Sequence, residues 1–372
     1  MKILHAPINI GNQPWVLSQY ERKLGHKSKL IVNISTDFKY PADKVLMRKN
    51  ASNISNSTRR LLWGSVAPCY YDVLHYYFGK SILEWNGIKP ISNRSFLDIR
   101  LAKRLGKKVF FTLQGCDVRL AGESNKKNLF TPCAKSACEL FESCTSVQDK
   151  KRQQFIEKIL PLCDKVFYLN PELGHYLPTG NFLPYCSFDI HAIKPIYPDI
   201  HRVPKIVHAP TSMSIKGSRL ILEALDQLRD NFEFELILVE NKTNAEALDI
   251  YRTADIAIDQ VLAGWYGGVS VELMAMGKPV LCYIRDEDLG FVPQQMVSDL
   301  PIQRIRPDHL VEDIGRVLEK RNEWVEWGLA SRKYVERWHN PEIIASALID
   351  VYKDPLQNLN LVHYIYSAGQ IT

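Results

Sequence analysis

Short apolar runs alternate along this chain with segments whose apolar residues return every three to four positions. That is the pattern of strands joined by helices around a parallel sheet. In the first half, residues 3–6, 29–32, 73–77, 108–113 and 165–169 are predicted strands. Between the first two, Val16, Leu17, Tyr20 and Leu24 share one helical face, and Gly25 follows as a suitable C-terminal stop. Prolines at 171, 178, 184, 195, 198 and 204 then break every period, which marks a linker. The alternation restarts with strands at 206–209, 234–239, 256–258 and 280–284, and helices at 218–229, 244–254 and 269–276. Three further helices are expected at 309–320, 324–338 and 341–351, and the last 18 or so residues read as a loosely attached tail.

The expected fold is therefore α/β, with two Rossmann-like, doubly wound domains facing a central cleft. The boundaries are 1–185 for the first domain, 186–204 for the linker and 205–340 for the second. Residues 341–372 form a terminal helix and tail able to pack back on the first domain. Open parallel sheets bind ligands at the carboxyl ends of their strands, so such a cleft suits a nucleotide on one wall and a second substrate on the other.

Length and composition narrow the class without naming the chemistry. At 372 residues, 46% hydrophobic and 24% charged, the chain is sized and composed for about two globular domains, not for a disordered or coiled-coil protein. It has no export signal and no apolar run of about 18 residues, so a cytoplasmic chain with eight reduced cysteines is expected. Charge is unevenly placed: residues 1–200 hold 29 Lys+Arg against 16 Asp+Glu, and residues 201–372 hold 18 against 25. A basic half without arginine-rich runs points away from nucleic acid. It fits a plain solubilising surface, or else one that faces an anionic acceptor or makes peripheral contact with an anionic membrane at the inner face of the cell. The basic segment from Asp37 to Arg60 is read as a loop within that half.

The most specific chemistry lies in Gly264-Trp-Tyr-Gly-Gly-Val-Ser-Val-Glu272 and the residues after it. A glycine-rich turn entering a helix offers free backbone N–H groups to a diphosphate, and Gly267 and Gly268 allow close approach. Glu272, one turn inside, has the chemistry to accept hydrogen bonds from a ribose diol. Spacing alone fits a tight strand-to-helix loop equally well. Cys116, Cys133, Cys138 and Cys144 form a local thiol cluster, with buried unpaired thiols favoured over a metal site because the Cys133–Cys138 spacing sits at the edge of the zinc range.

The run Val271-Glu-Leu-Met-Ala-Met-Gly-Lys-Pro-Val280 resembles the E-A-M-A-x-G-x-P-V signature of retaining glycosyltransferase family 4, of the GT-B fold. Residues 247–258 resemble the element before it, Lys216-Gly217 resembles the family's K-G phosphate motif, and the opening strand and LGH helix end are similar too. The resemblance implies a nucleotide diphosphate sugar donor on the second domain, bound by Thr211, Ser212, Gly264, Trp265, Tyr266, Gly267, Gly268, Val269 and Glu272. It implies a glycan or lipid-linked acceptor on the first domain, with no cofactor and no metal.

Three positions depart from that pattern. The first signature glutamate falls on Gly264, the phosphate-binding arginine on Pro210, and the histidine after the fourth strand on the turn Gln114-Gly115-Cys116-Asp117-Val118-Arg119. Gln114 cannot carry a proton away. The catalytic candidates are therefore Lys216, as stabiliser of the leaving diphosphate, with Gln114, Asp117 and Arg119 near the substrate. Front-face attack with retention, in which the diphosphate takes the acceptor proton, needs no protein base. Nucleotide binding without transfer and nucleotide-sugar epimerisation are the alternatives.

Overall fold

The computed structural model describes residues 1–36, 38–83 and 96–368, so Asp37 lies outside the described residues. The chain divides into two units. Unit 1 comprises Met1–Arg119, Lys151–Phe188 and Pro341–Thr372; unit 2 comprises Leu120–Lys150 and Asp189–Asn340.

Among the described residues, unit 1 is built on seven strands, β1 (Lys2–Ala6), β2 (Lys27–Val32), β3 (Lys44–Val45), β4 (Val73–Tyr77), β5 (Lys108–Leu113), β6 (Lys165–Tyr168) and β7 (Asn181–Phe182). Their order is β3-β2-β1-β4-β5-β6-β7, all parallel. β1 and β4 are buried along nearly their whole length, as expected of strands covered on both faces. The chain runs outward from β1 to β3 and returns to β4 on the other side, so the topological switch lies between β1 and β4.

Unit 2 carries β8 (Lys205–His208), β9 (Glu235–Leu238), β10 (Ile256–Ile258), β11 (Val280–Cys282) and β12 (Gln303–Arg304). Their order is β12-β11-β10-β8-β9, again parallel, and the switch lies between β8 and β10. Its core joins Ile206, Ile221, Leu225, Ile256, Leu281, Ile314 and Trp324, with Phe130 and Ala137 packed against it. That packing explains why residues 120–150, inside the first expected domain by sequence, belong to unit 2.

Two segments differ from the sequence reading. The last third of the expected basic loop is helical: Asn53–Tyr70 forms a helix capped by Ser52, whose hydroxyl accepts from Ser55 N. The expected tail also contains a helix, Leu361–Ala368, whose Leu361 is buried in the core of unit 1. Helix Pro341–Lys353 supplies Ile344, Leu348 and Tyr352 to the same core, against Ile3, Leu17 and Phe110.

Candidate nucleotide site at the switch point of unit 2

Three loops meet at the carboxyl ends of β8, β9 and β10. After β8, Ser212 caps the one-turn helix Met213–Lys216, and Gly217, at φ 72°, turns the chain into helix Ser218–Leu228. His208 ties this turn to the sheet. Its Nδ1 lies 2.8 Å from Ile258 O and its Nε2 2.7 Å from Ser218 Oγ. A carbonyl only accepts, so Nδ1 carries the proton and Nε2 accepts from the serine hydroxyl. Burial keeps the ring below the usual histidine range and therefore neutral.

Lys216 ends that turn buried, and its Nζ meets the Asp259 carboxylate at 2.6 Å. Asp259 follows β10 directly. Its other oxygen accepts from Gly267 N at 2.7 Å and Ser270 Oγ at 2.6 Å, at the start of helix Gly268–Ala275. Burial works to raise the Asp259 pKa, but the Lys216 charge and these hydrogen bonds outweigh it and hold the group below the ordinary value. A β-carbon on Gly267 would stand 2.9 Å from Lys216 Nζ, so glycine is what lets the turn close over the pair.

Glu272 points from the same helix toward Asn244. Thr243 and Glu246 form a reciprocal cap that fixes the first turn of helix Asn244–Thr253, and Asn244 Nδ2 donates to Glu272 Oε1 at 3.0 Å. Among the described residues this is the one hydrogen-bond partner of Glu272. Burial raises its pKa to about 7, only partly offset by the Asn244 bond. A buried carboxyl with one neutral partner is underserved, and an incoming pair of hydroxyls would complete it.

The other predicted residues divide. Thr211 is exposed, Ser212 half-buried and Val269 half-buried at the helix start, all near the switch point. Trp265 and Tyr266 are instead buried and stacked at 4.5 Å, with Tyr266 Oη bonded to Tyr334 Oη and His339 Nε2. Their rings anchor the turn in the core and do not line it. Gly264, at φ 73°, would place a β-carbon 2.8–2.9 Å from the Arg285 side chain. The position of the first signature glutamate therefore admits no side chain here. Arg285 fills the space, bonded to Asp288 and to the carbonyls of Phe130 and Leu262.

In unit 1, the backbone of the turn after β5 is tied down by its own neighbours, while Gln114 Nε2 is buried without a hydrogen-bond partner among the described residues. Asp117 accepts from the N–H groups of Gln114 and Gly115, and Asn170 Nδ2 donates to Gln114 O. Arg119 pairs with Glu172, both buried. Asp117 and Arg119 thus have separate hydrogen-bonded partners. Cys133 is buried, Cys138 and Cys144 half-buried and Cys116 exposed, and no three potential ligands come together among the described residues. Sequence reasoning missed Asp259 and Asn244. Asp259 follows an apolar strand without a motif, and only its place one residue past β10 hinted at an edge role.

No family model matches the chain, and no curated protein matches it. Solved structures do. Sucrose-phosphate synthase from Thermosynechococcus elongatus aligns with 14% identity over 96% of this chain and 99% of its own, at a TM-score of 0.58. A glycosyltransferase from Rickettsia africae gives 14% identity, 96% and 98% coverage and a TM-score of 0.57. HepE of Anabaena, solved in complex with UDP and glucose, gives 10% identity, 95% and 99% coverage and a TM-score of 0.58. The chain has the two-sheet α/β fold of GT-B glycosyltransferases. At such identities the likeness speaks for the fold alone.

Proposed function

We propose that this chain is a glycosyltransferase that moves a sugar, with retention, from a nucleotide diphosphate donor held by unit 2 to an envelope glycan or lipid-linked acceptor. The observation that carries the reading is the convergence of Lys216, the start of helix Gly268–Ala275, Asn244 and the underserved Glu272 at one topological switch point. Glu272 and Asn244 offer a ribose diol an acceptor and a neighbouring amide, while Lys216 and the helix start are the cationic features for the diphosphate. Retention is supported by the turn after β5. Gln114 is no base, and Asp117 and Arg119 are committed to local bonds, so the leaving diphosphate is the natural proton acceptor.

The acceptor side is supported by helix Asn53–Tyr70. Its exposed positions are Asn53, Ile54, Thr58, Leu61, Leu62, Ser65, Val66, Cys69 and Tyr70, none of them charged, with Arg59 and Arg60 beside them. An apolar stripe flanked by cations suits an anionic lipid surface, at which a lipid-linked acceptor would be met. Among the described residues no helix is long and apolar enough to cross a membrane. Binding without transfer is the second reading, favoured by Gly264, where no sugar-contacting side chain fits.

Calorimetric titration with a panel of nucleoside diphosphates, followed by labelled nucleotide sugars without acceptor, tests both. Slow donor hydrolysis is expected. Glu272→Ala should weaken nucleotide binding by about 2–4 kcal/mol, roughly 30- to 1,000-fold. Binding within threefold of the parent would remove Glu272 from the site, and binding without any turnover would favour the second reading.

A further inference from the structure

The donors that the switch point of unit 2 offers an anion are already occupied. Lys216 Nζ, Gly267 N and Ser270 Oγ, from two loops and a helix start, converge on the single carboxylate of Asp259 at 2.6–2.7 Å. Lys216 is the one cation in the loops 209–217 and 259–268, and Pro210 stands where a second would be expected. The loop after β9 adds Glu240 and Lys242, which cancel.

We infer that Asp259 is an internal competitor for the phosphate of the donor, and so a specificity-determining residue of the site. The inference rests on the nucleotide reading given above. With Asp259 in place, an incoming phosphate meets a lysine whose charge is neutralised and a helix end whose first N–H is bound. It must also approach a buried carboxylate of its own sign. Binding therefore requires Lys216 and Gly267 N to exchange the carboxylate for phosphate oxygens. Ligands able to make that exchange need both a phosphate and a second anchor, which Glu272 and Asn244 supply for a ribose. A bare phosphate has no such anchor and is held off. Selection for a complete nucleotide over free phosphate or pyrophosphate follows from one residue.

The test is titration calorimetry of inorganic pyrophosphate and of UDP against the parent, Asp259→Asn and Ser270→Ala. Asparagine keeps the shape, still accepts from Gly267 N and releases Lys216, so pyrophosphate should bind about 10- to 100-fold tighter. Ser270→Ala loosens the carboxylate and gives up one hydroxyl donor; release of Lys216 Nζ and Gly267 N outweighs that loss, so pyrophosphate should tighten about two- to fivefold. Unliganded Asp259→Asn should melt lower than the parent, because Lys216 is left buried without a counter-charge, and pyrophosphate should restore the loss. Should that variant fail to fold, the sign of the Ser270→Ala effect decides.

Pyrophosphate binding that is unchanged, weaker or absent in the folded variants would overturn the inference and make Asp259 a residue that orients Lys216 for the ligand. The two readings fail separately. Pyrophosphate tightening without any added affinity for nucleoside diphosphates would sink the nucleotide reading and leave Asp259 as competitor. Nucleotides that bind through Glu272 but do not tighten in either variant would do the reverse.

Discussion

The two sheets share a parallel, doubly wound plan, yet they spend their buried polar groups differently. At the centre of unit 1, β1 and β4 bring His5 beside His75. His5 bonds Tyr77 Oη at 2.7 Å and Glu21 Oε2 at 2.8 Å, while His75 bonds Tyr352 Oη at 2.6 Å and Thr112 Oγ1 at 2.7 Å. Every ring nitrogen of the two histidines has a partner from the chain itself, and burial drives the His75 pKa well down, so that ring is neutral. Unit 2 instead leaves Glu272 at its strand ends with one neutral partner and a pKa raised to about 7. The ring nitrogens of unit 1 are spent on the fold, whereas the Glu272 carboxyl at a switch point has capacity left for the proposed ribose contact.

Breaking one buried ion pair in each unit should expose that difference most. Arg119→Met strands Glu172 in unit 1, and should cost about 3–5 kcal/mol in urea unfolding while nucleotide affinity stays within twofold. Lys216→Ala should also destabilise, but its distinguishing effect is on chemistry: transfer should fall about 10²–10³-fold. A Lys216→Ala enzyme that keeps more than about a fifth of parental kcat would deny the residue its phosphate role.

The next effect is in pH. An ordinary glutamate titrates near 4.5 and folded Glu272 near 7. Between those values the unfolded chain has lost a proton that the folded chain retains. Stability should therefore fall as pH rises through that window, by on the order of 3 kcal/mol, and level off above it. Glu272→Gln should flatten the curve. Nucleotide affinity should rise as pH passes 7, since the carboxylate accepts from a diol better than the acid. A parental unfolding curve already flat from pH 4.5 to 7 would show that the carboxyl is not held up by burial.

The smallest effect concerns helix Asn53–Tyr70. Co-sedimentation with vesicles rich in phosphatidylserine should be clear at low salt and fade as salt screens charge over about 8 Å. Leu61→Asp and Leu62→Asp should weaken it several-fold each, and equal binding of parent and variants would assign that face elsewhere.

Much of the fold was legible because apolar runs and helical spacing are local. Helix Trp324–Trp338 falls on the residues predicted, and strand Ile256–Ile258 likewise. The two-residue strands β3 and β7 are too short for any period to register, and helix Asn53–Tyr70 starts in a polar run that resembles a loop. Glu272 and Lys216 were legible through a motif. Asp259 was not, because its role exists only when loops 43 and 8 residues away in sequence, at Lys216 and Gly267, close on it.

The chain passes between the units four times, and the last passage returns it to unit 1 at Pro341. During synthesis, Ile344, Leu348 and Tyr352 leave the ribosome only after all of unit 2, although they complete the core begun by Ile3 and Leu17. The first strand to be made thus waits for nearly the last helix. Until then, His75 lacks its tyrosine partner and the apolar face around Phe110 stands uncovered. The nascent N-terminal half is accordingly expected to need protection by chaperones, and premature termination beyond Asn340 should harm unit 1 while sparing unit 2.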